Sequence, residues 1–375
     1  MTVPLRLAAN YFALFWVFGI YVPFLPAWLE GRGFTGEQIG LILAAAMWGK
    51  VIANTVLGAR ADASGNRKAI LVGIAMVVLA GYVAFLALQD RWLVAILCAI
   101  VGTVLTSAIP MSDNLTLLAV KRIGIDYGRV RLWASLAFIA ASAGGGWFLG
   151  GRGAETILYL LIGGAAAMLA TTLLLPSIRT PPRVSRKSAM VEVLRLPGFK
   201  PFALAASLLL SSHAALYGFA TIRWLDAGIA GGTIGLLWAE GVIIEVGVFA
   251  FATRLLGRFR ISTLFLFVAA VAAIRWTAIG LTTALPVLVA AQALHAVTFA
   301  VTHIAAQTYI LNRVPETQSA SAQGLYDALS MGLFFGLATL LAGWLFEMSG
   351  GLAFLSMVPG VGLAAVAALA LRRHC

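Results

Sequence analysis

Twelve apolar runs account for most of this chain, each about as long as a helix needs to cross the hydrocarbon of a bilayer, roughly 20 residues. They fall near residues 8–29, 38–59, 69–88, 92–117, 130–150 and 156–175, and resume near 199–221, 232–252, 262–282, 285–309, 321–344 and 351–371. A backbone in lipid must satisfy its N–H and C=O groups internally, and at these lengths that means helices. A water-soluble core is excluded by composition. Of the residues 61% are hydrophobic and 11% charged, against about 25% charged in soluble domains. The reading is an all-α membrane protein with twelve transmembrane helices. The first run, from about Leu7 to Trp28, is too long for a signal-peptide core and lacks a small-residue cleavage site, so it is read as a retained helix.

The two halves repeat each other. Trp28-Leu29-Glu30 with Ile39-Gly40-Leu41 returns as Trp224-Leu225-Asp226 with Ile234-Gly235-Leu236, an offset of 196 at the tryptophan and 195 at the isoleucine; Tyr21 and Tyr217 are also 196 apart. The duplication predicts two six-helix bundles related by a pseudo-twofold axis, residues 1–175 and 199–375, joined by a linker at 176–198 that holds Pro176, Pro181, Pro182 and a basic cluster. In membrane proteins built this way, substrate sites lie between the repeats near the bilayer midplane.

Charge sets the orientation. With the N-terminus inside, 20 Lys and Arg fall on the cytoplasmic side and four (Arg32, Arg91, Arg152 and Arg223) on the outer side, with Lys50 and Arg275 inside helices. That imbalance predicts both termini in the cytoplasm. The net charge of +12 is spread between apolar runs rather than along one face, which suits anionic lipid and not nucleic acid. Cys98 and Cys375 make neither a disulfide framework nor a metal-ligand spacing.

Between the second and third runs lies Gly58-Ala59-Arg60-Ala61-Asp62-Ala63-Ser64-Gly65-Asn66-Arg67-Lys68. It resembles the cytoplasmic signature of the major facilitator superfamily: Gly, Asp, then Gly and paired basic residues. Gly58 is expected to permit close packing at a helix end, Asp62 to engage a helix terminus or an Arg, and Gly65 to make the turn. The second-half copy, Leu256-Gly257-Arg258-Phe259-Arg260, is degenerate. A narrower match is carried by Asp126-Tyr127-Gly128-Arg129-Val130-Arg131-Leu132-Trp133, Ser212-His213-Ala214-Ala215-Leu216-Tyr217-Gly218-Phe219, Leu237-Trp238, Ile274-Arg275-Trp276 and Leu294-His295-Ala296-Val297-Thr298-Phe299. These segments resemble the phenylpropionate permease family, which is related to the lactose–proton symporters. The resemblance implies a proton-coupled symporter of the inner membrane with an aromatic acid such as 3-phenylpropionate as cargo. Its expected partners are that small molecule, protons and the lipid bilayer, with the proton gradient in place of any cofactor or metal and a monomer as the working unit. Relatives that take sugars or nucleosides keep those cargoes open. From other classes, a non-transporting sensor on the same scaffold stays open. A membrane-embedded enzyme is argued against by the lack of a zinc-protease helix motif, a nucleophile elbow or a phosphate-cradling loop.

Ionisable residues at bilayer depth are costly and mark sites. Here they are Lys50, Asp113, Glu240, Glu245, Arg275 and Asp327, joined by His213, His295 and His303. Asp113 and Arg131 are 18 residues apart across a short cytoplasmic loop, and Pro110 should kink the helix beside them. The lactose symporters carry an acid–arginine pair on these helices that contacts substrate. Arg131 suits a carboxylate; the alternative is a structural pair fixing the loop. Arg275 and His295 match an arginine and a histidine in the lactose symporters' proton-coupling region. The family's Lys one turn earlier is here Gln292, and its Glu one turn later is Thr298, so a carboxylate must come from elsewhere. Glu245 is the first choice, with an ion pair to Arg129 or Arg131 as its alternative role. Glu240 is five residues away, about 140° around the helix, and should not share its cavity. In the superfamily, span two packs on span eleven, which suggests a Lys50–Asp327 bridge, either a gate or a permanent staple. His213 and Tyr217 share a helical face. With Trp238, Trp276, Tyr11 and Phe15 they are candidates for an aromatic pocket, each with packing as the alternative. His303 is read as a satisfied bundle histidine.

Overall fold

The computed structural model describes residues 2–150, 152–180, 190–256 and 258–374. Every apolar run is a helix: α1 Val3–Gly31, α2 Gly36–Ser64, α3 Arg67–Ala84, α4 Arg91–Ile123, α5 Tyr127–Leu149, α6 Glu155–Leu173, α7 Phe199–Asp226, α8 Gly231–Phe251, α9 Ile261–Leu281, α10 Leu285–Arg313, α11 Glu316–Met348 and α12 Leu352–Leu371. No strand occurs among the described residues. Several helices outrun their apolar cores. The 33 residues of α4 rise about 50 Å against about 30 Å of hydrocarbon, so the helix is longer than a crossing requires.

Local chemistry sets the helix starts. Asn66, Asp90 and Asp126 each accept a hydrogen bond from the backbone N–H three residues on, opening α3, α4 and α5. Such caps satisfy donors that the first turn leaves without an internal acceptor. Gly124, at φ 68°, closes α4 in the left-handed geometry that glycine adopts without penalty.

The chain forms two compact units: residues 1–33, 45–186 and 229–239, and residues 34–44, 187–228 and 240–375. The start of α8 thus belongs to the first unit and the start of α2 to the second. In the first, α1 is the central helix, 78% buried in its most apolar stretch, packed on α5 and α6, with α3 against α4 and α6. In the second, α7 holds that place at 83% buried, packed on α11 and α12, with α9 against α10 and α12. Trp28 and Trp224, the clearest marks of the repeat, are both fully buried.

The repeat is also written in backbone contacts. In the first unit a Cβ on Gly235 of α8 would run into the Ser142 carbonyl of α5, with the Gly146 Cα at 3.1 Å. In the second, a Cβ on Gly40 of α2 would meet the Thr339 carbonyl of α11 at 3.0 Å and the Gly343 Cα at 3.2 Å. Each pairing needs glycine because two helix backbones touch there, the close approach that small residues allow in membranes.

The signature loop behaves partly as expected. Gly65 turns the chain at φ 61°, and Asp62 pairs with Arg67 at 2.9 Å. Arg67 is a hub. It also donates to Asn114 on α4 at 2.5 Å and to Thr180 at 2.7 Å, while Thr180 donates its N–H to the Gly65 carbonyl at 3.1 Å and Lys68 donates to the Leu175 carbonyl at 2.8 Å. Gly58 corrects the sequence reading. A Cβ there would meet nothing within 4 Å, so no close packing explains it. Of the expected linker, residues 181–189 lie outside the described residues, as does Gly257 of the degenerate second-half copy.

Three irregularities in the helices of the second unit bear on its chemistry. The α7 helix breaks at Ser212–His213. Wider π winding occurs at Val297–Val301 in α10 and at Ala328–Phe334 in α11. Such segments recur at functional sites, and His213, Thr298 and Asp327 lie in or directly beside them. Pro110, by contrast, sits within an unbroken α4.

Candidate functional site

The first unit gathers Asp113 (α4), Arg131 and Tyr127 (α5), and Tyr11 and Phe15 (α1). Tyr127 and Arg131, like Tyr11 and Phe15, are four residues apart and share a helical face. Tyr11 donates to Asp113 Oδ1 at 2.5 Å and Tyr127 donates to the same oxygen at 3.1 Å. Arg131 Nε approaches that oxygen only to 3.7 Å. The guanidinium lies over the Phe15 ring at 4.4 Å and near Tyr11 at 5.3 Å, the cation–π geometry that holds a planar cation without using its donors. About 30% of both charged side chains is exposed. The structure therefore brings the expected pair together, at the end of a contact rather than in a tight fork. Tyr127 carried no role in the sequence reading. Its spacing from Arg131 was the available signal.

The second unit builds a denser network around Arg275, which is completely buried. Its Nε donates to the Ala291 carbonyl at 2.7 Å, Nη1 to Thr298 at 2.9 Å, and Nη2 to Gln292 at 2.9 Å and toward His295 Nδ1 at 3.4 Å. Four of the five guanidinium N–H groups are thereby used on uncharged acceptors. Gln292 and Thr298, the two departures from the symporter pattern, are both among them. On its other side, His295 Nε2 faces Glu245 Oε2 at 3.5 Å. Within the first unit, Arg129 lies beside Asp126 at 3.4 Å and Arg131 beside Asp113 at 3.7 Å. Glu240 points elsewhere, half-buried on the face of α8 that carries exposed Leu236 and Ile243.

Donor logic orients the rings. Arginine offers no acceptor, so His295 Nδ1 is the bare nitrogen and the ring proton sits on Nε2, toward Glu245. His213 Nδ1 lies 3.1 Å from the Leu210 carbonyl and its Nε2 lies 3.0 Å from Thr298 Oγ1. His213 therefore donates at Nδ1, and Thr298 Oγ1, which accepts from Arg275 and also lies 3.3 Å from the Leu294 carbonyl and 3.2 Å from the His295 carbonyl, is the nearest hydroxyl donor to His213 Nε2. Arg275, Thr298 and His213 form one directed chain; Arg275, His295 and Glu245 form another. Trp276 donates to Ser212 at 3.0 Å, at the break in α7, and its ring lies edge-on to His213. His213 and Trp276 are buried in the second unit's core, and Tyr217 is the partly exposed member of that trio. Along α10, His295, Phe299 and His303 stack at 5.4 and 6.5 Å with ring planes within 11° and 5° of parallel.

Trp238 is buried in the first unit. Lys50 belongs to the first unit, on α2, and Asp327 to the second, where it directly precedes the π segment of α11. Among the described residues no group of three or more His, Cys, Asp or Glu could hold a metal ion.

Comparison with known proteins places this arrangement. The chain is 34% identical over 351 residues, 92% of its length and 91% of the relative's, to the "Probable 3-phenylpropionic acid transporter" of Escherichia coli (strain K12). It is 28% identical over 345 residues, 90% and 86% of the two chains, to the maltose permease of Geobacillus stearothermophilus. A crystal structure of a mutant of the nucleoside transporter NupG superposes with a TM-score of 0.85 at 17% identity, covering 99% of this chain and 100% of that one, a likeness of fold. The model of the MFS_1 like family matches residues 5–356. Twelve spans, a signature loop tied by Arg67 and a match over nearly the whole length converge: this multi-pass membrane protein belongs to the MFS_1-like family of major facilitator transporters.

Proposed function

We propose that the protein is a proton-coupled symporter of a small aromatic carboxylate such as 3-phenylpropionate, working by alternating access as a monomer in the inner membrane with both termini cytoplasmic. The observation that carries proton coupling is the buried Arg275–His295–Glu245 chain. Arg275 spends its donors on neutral groups, and the carboxylate that balances it stands across the His295 ring, 3.5 Å from Nε2. A proton placed on Glu245 cancels that balance. A state with protonated Glu245 is therefore favoured when an anion is taken up as well, and by reciprocal linkage the anion favours the proton. The proton gradient is the energy source in this reading, and no cofactor or metal is called for.

Cargo recognition falls to the first unit. Arg131 makes no short hydrogen bond to Asp113, its Nε standing 3.7 Å from Oδ1, is partly exposed, and lies on aromatic faces. That is a fork for a carboxylate beside rings for an aryl group. The resemblance to the 3-phenylpropionic acid transporter favours the same class. A second reading has its own observation: Asp113 and Arg131 together are net neutral and offer both an acceptor and a donor. This suits the hydroxyls of a sugar or nucleoside.

The test is uptake and external pH in proteoliposomes given 3-phenylpropionate, maltose or uridine, with protein-free liposomes as baseline because a neutral weak acid crosses lipid unaided. Saturable 3-phenylpropionate uptake above that baseline, with matching alkalinisation outside, is expected. Uptake of maltose or uridine in its place would move the cargo to the second reading. Binding without flux would make the protein a sensor.

A further inference from the structure

We infer that Tyr11 and Tyr127 are positioning residues that keep Asp113 off the Arg131 fork and so leave that fork open to cargo. The inference deepens the proposed reading of Arg131 as the carboxylate-binding group and rests on it. Three donors converge on a single oxygen, Asp113 Oδ1, and the two phenols are the near ones, at 2.5 and 3.1 Å, while Arg131 Nε stays at 3.7 Å. An acid and an arginine this close, with partly exposed side chains, ordinarily settle into a short two-point pair. Here the acid's needs are met by neutral hydroxyls, and the guanidinium is held instead over Phe15 and Tyr11. Tyr11 acts at both places, donating to the acid with its hydroxyl and supporting the cation with its ring.

Remove the hydroxyls and the nearest donor left for Asp113 is Arg131 itself. The pair closes, and a cargo carboxylate then has to displace an internal one before it can bind. The cost falls on binding and not on the later movements of the protein, because the rings and the helix packing stay as they were.

Counterflow of labelled 3-phenylpropionate in proteoliposomes, with KM and kcat measured separately, tests this. Tyr11→Phe and Tyr127→Phe are each expected to raise KM severalfold, and together about tenfold or more, with kcat unchanged. In an Asp113→Asn background, which has no anion to draw Arg131 away, the same phenylalanine changes should add nothing. Unchanged KM in both tyrosine variants, a fall in kcat at constant KM, or equal effects with and without Asp113→Asn would overturn the inference. So would loss of binding in Asp113→Asn alone, since that would put the acid against the cargo. Arg131→Ala separates the layers. Normal binding by that variant sinks the reading of Arg131 and the inference with it, whereas lost binding alongside normal tyrosine variants sinks the inference alone.

Discussion

Glu245→Gln is the most direct challenge to proton coupling. The substitution keeps the shape and a group to face His295, and it removes the carboxylate that stands against the Arg275–His295 chain at 3.5 Å. One carboxylate can carry one proton per cargo. Linkage then caps the pH dependence: where Glu245 is ionised in the empty protein, the Kd for an anionic cargo should rise tenfold per pH unit, about 1.4 kcal/mol. The glutamine variant mimics the protonated acid. It should bind at all pH values with the affinity that the parent shows only in acid, and its Kd should be flat. Titration calorimetry of the purified protein in two buffers of different ionisation enthalpy counts the protons directly, with up to one taken up per cargo by the parent and none by the variant. Counterflow should persist, because exchange needs no net proton movement. A Glu245→Gln protein that still loses affinity tenfold per pH unit would refute the reasoning and move the proton to another group.

Other expectations follow from the same geometry. Arg131→Ala should weaken 3-phenylpropionate binding about 100-fold, the worth of a charge-assisted two-point contact, and Arg131→Lys should recover only part of it because an ammonium cannot form the fork; equal binding by all three would remove Arg131 from the site. Thr298→Val strands an Arg275 N–H and His213 Nε2 in the core of the second unit. It should lower stability by about 1–3 kcal/mol, seen as a lower unfolding temperature in detergent, and an unchanged temperature would deny Thr298 its place as a node. Gly40→Val and Gly235→Val push side chains into equivalent backbone contacts in the two units and should each cost about 1–3 kcal/mol. A large effect at one and none at the other would argue that the repeat is not matched in packing.

The fold was legible because lipid imposes its rules one helix at a time. Apolar length marked all twelve spans, and the recurrence of Ile-Gly-Leu at 39–41 and 234–236 falls on two equivalent backbone contacts. Pairings across short loops were also readable, since two antiparallel helices fix each other's depth: Asp113 with Arg131 and Arg275 with His295 are the examples. Contacts that depend on azimuth were harder. The match of Glu245 to His295 required the rotation of α8 against α10, which spacing within either helix cannot supply. Tyr127 is not legible as a site residue, because a phenol at a helix start is ordinarily an interface anchor. Gly58 shows that a motif position need not be a packing constraint, since a Cβ there would meet nothing within 4 Å. The hub role of Arg67, reaching Asn114 and Thr180, joins segments far apart in the chain and left no local trace.

The wide turn at Val297–Val301 has an effect on what lies along α10. Positions four apart drift by about 40° per step around an ordinary α-helix, so rings at 295, 299 and 303 would normally spiral away from one another. Wider winding takes the drift out, and the three rings line up as a column. Deleting one residue from that turn would restore the usual pitch and swing His303 out of line. The two histidines are thus tied through Phe299 into a single aromatic unit, whose alignment depends on how the backbone is coiled and not on the side chains alone.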